Sequence, residues 1–245
     1  MEEQDIALLC ELFEGTPRQG PGSEATTRSG LDCLPQGFPV QSILDLGCGT
    51  GGSTMVLAKQ TTAHLTALDM HQPFLDTLRQ EAQAQGVLDR VTTICGDMAM
   101  LENVGNTFDL LWAEGSAYSI GFANALGLWR AKLRAGGCLF VSELAWFRAE
   151  PAEKARAFFA EEYPDMKDEA ALREGVEGLG YRVLESFRLP AEDWQAFYAG
   201  LEPSLQRCRE RYGEHPVFTR ADQERQIYEE FGGDYGYSCF MLQWP

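Results

Sequence analysis

The chain has 245 residues, with 20 Lys and Arg against 37 Asp and Glu and a formal net charge of −17 at pH 7. That length suits one α/β domain with an added subdomain, while the charge repels a phosphate backbone and argues against a nucleic-acid partner. Neither the acidic start Met1-Glu2-Glu3-Gln4-Asp5 nor any apolar run has the character of a signal peptide or a bilayer span, so a cytoplasmic protein with no membrane partner is expected.

Residues 2–14 and 23–34 read as helices, joined by the Pro/Gly-rich run Thr16-Pro17-Arg18-Gln19-Gly20-Pro21-Gly22, with Ser23 as the N-cap of the second. Strand 42–46 leads through a glycine loop into helix 53–60, and strand 64–69 leads into helix 72–86, which Gly86 ends. Strands near 91–95 and 108–113 follow, then a helix near 121–134 stopped by Gly136-Gly137, then the apolar strand 138–142. Strands alternating with helices predict a doubly wound, mostly parallel sheet covered on both faces. Farther on, helices at 151–162 and 168–179 precede a strand at 181–189, and a charged helical segment separates it from the last apolar strand, 237–243. The expected organisation is therefore one domain over 1–245. Its core is 40–189 with 236–245, residues 1–38 form a helical lid, and 190–235 form a helical insert. That insert reads as a cap over a substrate pocket or as a solvated excursion.

Cysteines at 10, 33, 48, 95, 138, 208 and 239 form no C-x-x-C pair, and the histidines at 64, 71 and 215 have no metal-ligand spacing. Neither a disulfide framework nor a metal is expected.

The most informative segment is Ile43-Leu44-Asp45-Leu46-Gly47-Cys48-Gly49-Thr50-Gly51, an apolar strand end running into a glycine loop. Glycines without Cβ atoms let a backbone turn sharply and approach a ligand closely, and the amides that open the following helix favour an anionic group. Gly47, Gly49 and Gly52 also satisfy G-x-G-x-x-G, the pattern of dinucleotide sites. Asp45 weighs against that reading, because a carboxylate beside the loop repels a pyrophosphate and suits a ligand with an ammonium group.

Asp45-Leu46-Gly47-Cys48-Gly49-Thr50-Gly51 resembles the first motif, E/D-x-G-x-G-x-G, of class I S-adenosylmethionine-dependent methyltransferases. The resemblance implies a Rossmann-like, seven-stranded α/β sheet whose antiparallel last strand enters between the fifth and sixth, with S-adenosylmethionine as cofactor. It implies that Asp69, closing the second strand, accepts from both ribose hydroxyls, with Met70 beside it. It also implies that Gly96-Asp97-Met98 places an acid at the adenine amino group and an apolar neighbour against the ring. The run 18–26 resembles the amino-terminal lid of bacterial small-molecule methyltransferases of the ubiquinone and menaquinone type, which puts Gln19 and Gly20 near the methionine end.

Glu114-Gly115-Ser116-Ala117-Tyr118, after the fourth strand, occupies the family's catalytic position. It lacks the Asn/Asp-Pro-Pro-Tyr signature of many amino methyltransferases of nucleic acids and proteins. Glu114 is a candidate to bind the cofactor, orient the acceptor or act as base, and Tyr118 to line the pocket or donate a hydrogen bond. Glu143 is the second candidate base, and Trp146, Phe147, Trp194, Phe197 and Tyr198 are either aromatic walls or core. Methyl transfer from a sulfonium rests mainly on alignment in a dry site, so no catalytic triad is required. A small-molecule acceptor is expected. The alternatives are a nicotinamide-dependent oxidoreductase and a non-catalytic S-adenosylmethionine-binding protein.

Overall fold

The computed structural model describes residues 3–105 and 107–245. Glu2, where the first predicted helix begins, lies outside them. Among the described residues the strands are β1 (Ser42–Leu46), β2 (His64–Asp69), β3 (Val91–Cys95), β4 (Phe108–Ala113), β5 (Leu133–Trp146), β6 (Lys167–Asp168), β7 (Arg182–Arg188) and β8 (Tyr235–Gln243). They form one sheet in the order β3-β2-β1-β4-β5-β8-β7, and the two-residue β6 lies along the end of β5. β1 to β5 pair in parallel, whereas β8 runs antiparallel to both β5 and β7. The expected seven-stranded, mostly parallel sheet with an antiparallel last strand is therefore present, with β6 as a short addition.

Sequence explains the placement of the central strands. β1 and β4 are nearly unbroken apolar runs, buried along almost their whole length, as parallel strands covered on two faces require. Ile43, Leu65, Trp112 and Phe140 fill the core on one face, and Leu44, Leu46, Leu111, Leu139 and Val141 fill it on the other.

The helices are α1 (Glu3–Phe13), α2 (Glu24–Asp32), α3 (Gly52–Gln60), α4 (Gln72–Ala84), α5 (Phe122–Trp129), α6 (Glu153–Glu162), α7 (Glu169–Gly178), α8 (Ala191–Tyr212) and α9 (Pro216–Phe231). Ser23 caps α2 as expected, its hydroxyl accepting from the Thr26 amide at 3.1 Å. The helix expected over 121–134 is shorter. α5 ends at Trp129, a 3-10 turn covers Arg130–Lys132, and β5 begins at Leu133, opposite Phe108 of β4. Gly136 and Gly137 are thus not a helix stop. They sit where the β4–β5 register shifts between Phe108 and Leu110, and Gly136 takes a φ of +75° that other residues avoid.

The charged segment before the last strand is two helices, broken at Gly213 and restarted by Pro216 at the head of α9. α1 packs on both, forming a satellite core of Leu12, Leu201, Leu205, Cys208 and Phe218. Arg211 pairs with Glu11 at 2.7 Å, and the Thr26 hydroxyl of α2 donates to the buried Asp193 carboxylate of α8. The amino-terminal segment and the insert are therefore one structural unit beside the sheet. Among the described residues, no helix is long and apolar enough to cross a membrane.

Candidate functional site

The carboxyl ends of β1, β2, β3 and β4 meet the Arg18–Pro21 turn around a cavity of about 480 Å³. Its floor is the glycine loop after β1. The loop is tied to the second strand end by the Gly47 and Cys48 amides, which donate to the Leu68 carbonyl at 2.9 and 3.0 Å. Ser116 holds it from the other side by donating to the Leu46 carbonyl at 2.7 Å. Gly47 has a φ of +72°, and a Cβ there would lie 2.6 Å from the Ser116 Cβ, so both conformation and space demand glycine.

Most residues expected at a ligand site come together here. Gln19, Gly20, Asp45, Gly47, Cys48, Gly49, Asp69, Met70, Gly96, Asp97, Met98, Glu114 and Tyr118 all line the cavity. Gly51 does not. It faces α4, where an added Cβ would approach Leu78 Cδ1 to 2.2 Å, so its need for glycine comes from helix packing and a φ of +92°. That corrects its expected place among the ligand-contacting positions.

Asp69 is fixed by the backbone. Its Oδ2 accepts from the Gly49 amide and its Oδ1 from the His71 amide, both at 2.9 Å. Each carboxylate oxygen has a second lone-pair direction left for a ligand hydroxyl. Asp97 Oδ1 accepts from the Ala99 amide at 2.8 Å, so Asp97 also caps its own turn. Asp45 is almost completely buried, and its Oδ2 accepts from the Thr54 hydroxyl at 2.6 Å. Burial pushes its carboxyl up to about 7, against the lowering effect of the Thr54 hydroxyl and with a smaller push from the nearby Glu114. Gln19 lies over the loop, its Oε1 accepting from the Thr50 amide at 2.9 Å and its Nε2 donating to the Thr50 hydroxyl at 3.1 Å.

Glu114 is the most heavily engaged side chain of the site. Its Oε1 accepts from the Thr27 hydroxyl at 2.8 Å and from the Trp112 indole at 2.9 Å, and its Oε2 pairs with Arg18 at 2.7 Å. Arg18 also donates to the Thr27 and Ser53 hydroxyls, at 3.1 and 3.3 Å. The pair thus joins the amino-terminal segment to the end of β4. Sequence reasoning missed Arg18 as a site residue, although a lone cation in a Pro/Gly turn of an acidic chain is a usable signal. His71 and Phe74 were missed as well, and no spacing in the sequence marks them as cavity-lining, whereas Ser116 lies in the Glu114–Tyr118 run without having been given a role of its own.

Tyr118 keeps 43% of its surface exposed and meets Tyr163 edge-on, with ring centroids 6.1 Å apart. Glu143 is fully buried and does not line the cavity. Trp194 stacks between Tyr228 and Tyr237, at centroid distances of 4.5 and 5.4 Å, and Trp146 meets Phe159 and Tyr235 edge-on. Trp194 and Tyr198 thus belong to the core on one face of the sheet, with Trp146 and Phe197 packed against it, while Phe147 packs against the core on the other.

Residues 43–137 match the family model described as a methyltransferase domain. The uncharacterized protein YjhP of Escherichia coli strain K12 is 26% identical over 208 residues, 82% of each chain. Its X-ray structure superposes with a TM-score of 0.82 at 23% identity, over 96% of this chain and 98% of that one. A methyltransferase structure from Geobacter sulfurreducens, in complex with S-adenosyl-L-homocysteine, has a TM-score of 0.75 at 25% identity, covering 93% of this chain and 92% of that one. A demethylmenaquinone methyltransferase of Lactiplantibacillus plantarum is 41% identical over 71 residues, 28% of this chain and 30% of that protein. The match to a sterol 24-C-methyltransferase of Gibberella zeae likewise spans only 28% of that protein's length. The complete glycine motif lies inside the segment that matches the methyltransferase domain, and the sheet order around it is that of the structures of S-adenosylmethionine-dependent methyltransferases that this chain resembles.

Proposed function

We propose that the chain is an enzyme that methylates a small-molecule acceptor with S-adenosylmethionine. The observation that carries this reading is the convergence of Asp45, Asp69 and Asp97 on one cavity above the glycine loop. The residues fit the cofactor. A cavity of about 480 Å³ lies within the usual range for small-ligand sites, roughly 300–1,000 Å³. A Cβ on Gly20 would meet nothing within 4 Å and so point into ligand space.

In this reading Asp69 accepts from the ribose hydroxyls, Asp97 takes the adenine amino group with Met98 against the ring, and Asp45 pairs with the ammonium. Gln19 and Gly20 close over the methionine end. When bound, the cofactor supplies an electrophilic methyl group on a sulfonium with a neutral leaving group. The chain's own task is alignment and exclusion of water. Glu114, with three donors on its two oxygens, is suited to holding the amino-terminal segment against β4 rather than to taking a proton, and Tyr118 lines the acceptor side. The amino-terminal segment covers the chamber, and α8 and α9 pack behind it against α1.

The acidic surface, the absent Asn/Asp-Pro-Pro-Tyr signature and the demethylmenaquinone methyltransferase relative favour a small acceptor. The test is incubation with radiolabelled S-adenosylmethionine and separate pools of tRNA, protein extract and metabolites. Label is expected in the metabolite pool, and label confined to macromolecules would overturn the reading.

A further inference from the structure

A second hollow, of about 360 Å³, lies where α5 and α7 face each other beside the sheet. Its walls are the start of α5, the turn between Tyr163 and Lys167, and one side of α7. Lys167 pairs with Ala145 near the end of β5, and α5 follows the end of β4, so these walls begin at the carboxyl edge where the cofactor cavity opens. Phe122, Leu172 and Val176 give the hollow an apolar base that continues into the core. Gly121, Ala123, Ala171 and Gly175 have too little side chain to fill the space above that base. Ala171 and Gly175 stand one helical turn apart and so share a face of α7, and a Cβ on Gly175 would meet nothing within 4 Å. Asp165 and Lys167 are exposed beside it. An apolar concavity with a polar rim has the form of a ligand groove.

The groove adjoins the cofactor cavity. Tyr118, Ser119 and Ile120 line the cavity, and the next residues in the chain, Gly121 to Asn124, line the groove. On the opposite wall Tyr163 lines the groove and meets Tyr118 edge-on, with ring centroids 6.1 Å apart. This ring pair is the boundary that the two spaces share. Tyr118 keeps 43% of its surface exposed, so a molecule lying over its ring reaches both.

We propose, on the basis of the methyltransferase reading, that this groove is a second subsite for the acceptor. The reacting end of the acceptor lies in the cavity beside Tyr118, and an extended hydrocarbon arm crosses the Tyr118–Tyr163 pair and lies between α5 and α7. The acceptor class is thereby narrowed to molecules with a long apolar part. Burial of apolar surface against Phe122, Leu172 and Val176 holds the arm, and the exposed rim leaves its far end in water. The groove contributes binding and selection by length, while the chemistry stays in the cavity.

The test uses the full chain and a cell extract partitioned into octanol-soluble and aqueous fractions, each dried and redissolved. Each fraction is incubated with S-adenosylmethionine, and S-adenosylhomocysteine formation is measured above an acceptor-free control. Gly175→Leu fills the groove, and Gly178→Leu places the same side chain on the same helix, also with nothing within 4 Å of its Cβ, but outside the groove. Leucine favours a helix over glycine, so both variants should fold. Formation is expected with the octanol-soluble fraction, at least tenfold lower in Gly175→Leu at limiting acceptor, and within a factor of two of wild type in Gly178→Leu. The calorimetric dissociation constant for S-adenosylhomocysteine should stay within a factor of two in all three proteins. With that binding intact, absence of turnover with the octanol-soluble fraction, or equal turnover in the two variants, would overturn the proposal. A wild type that sediments as a dimer beside a monomeric Gly175→Leu would overturn it too, by assigning the groove to a second copy of the chain. If the wild type fails to bind S-adenosylhomocysteine, the methyltransferase reading itself fails, and the two failures are thereby distinguished.

Discussion

Glu143→Gln should stabilise the ligand-free protein in a pH-dependent way. The carboxyl titrates near its usual 4.5 in the unfolded chain but at about 7 when folded. Because the folded value is the higher one, the group costs nothing below the unfolded value. The penalty grows as pH rises and is complete above about pH 7. A separation of roughly 2.5 units at about 1.4 kcal/mol per unit gives a penalty of about 3 kcal/mol at pH 8 and about 1 kcal/mol at pH 5. The buried amide of the variant has its own burial cost, but that cost does not vary with pH. The reporting quantity is therefore the difference, a relative gain of about 2 kcal/mol for the variant between pH 5 and pH 8. Asp45 titrates in the same direction, but it is present in both proteins and cancels. Urea unfolding of both proteins at the two pH values measures this directly. A stability difference that does not change with pH would refute the idea that burial raises the Glu143 carboxyl.

Three further outcomes follow from the cavity. Asp69→Ala should weaken S-adenosylhomocysteine binding by about 1.5–3 kcal/mol, the range for hydrogen bonds to a charged group, and an unchanged calorimetric dissociation constant would reduce Asp69 to a helix cap. Asp45 must be ionised to hold an ammonium, so affinity should rise with pH through about 7, and Asp45→Asn should bind more weakly with a flat profile in the same titration. Gly51→Ala should lower stability by about 1–3 kcal/mol through overpacking at Leu78 and backbone strain, while leaving cofactor affinity within a factor of two. A large loss of affinity with intact stability would return Gly51 to the ligand site.

The sheet was legible because parallel strands buried on two faces leave unbroken apolar runs, and β1 with its glycine loop carries a pattern that few other structures need. The start of β5 was misread, since Trp129 to Leu133 continues an apolar and basic pattern that suits a helix, and only pairing with β4 shows that Gly136-Gly137 lies in a bulge. The acids closing β1 and β2 and the one following β3 could be located as candidates because topology sends each strand end to one edge. The engagement of Glu114 could not be foreseen, since Arg18 and Thr27 lie 96 and 87 positions away in the chain. The burial of Glu143 is likewise a tertiary property. A strand-end Glu reads the same whether its oxygens meet water or the protein interior.

Isothermal titration of the full chain with S-adenosylmethionine, S-adenosylhomocysteine and NADH tests the central claim most directly. Both adenosyl compounds should bind with micromolar dissociation constants, on the order of −8 kcal/mol, and NADH should give no saturable heat. Binding of NADH by a folded protein that takes up neither adenosyl compound would contradict the account and restore the oxidoreductase reading of the glycine loop.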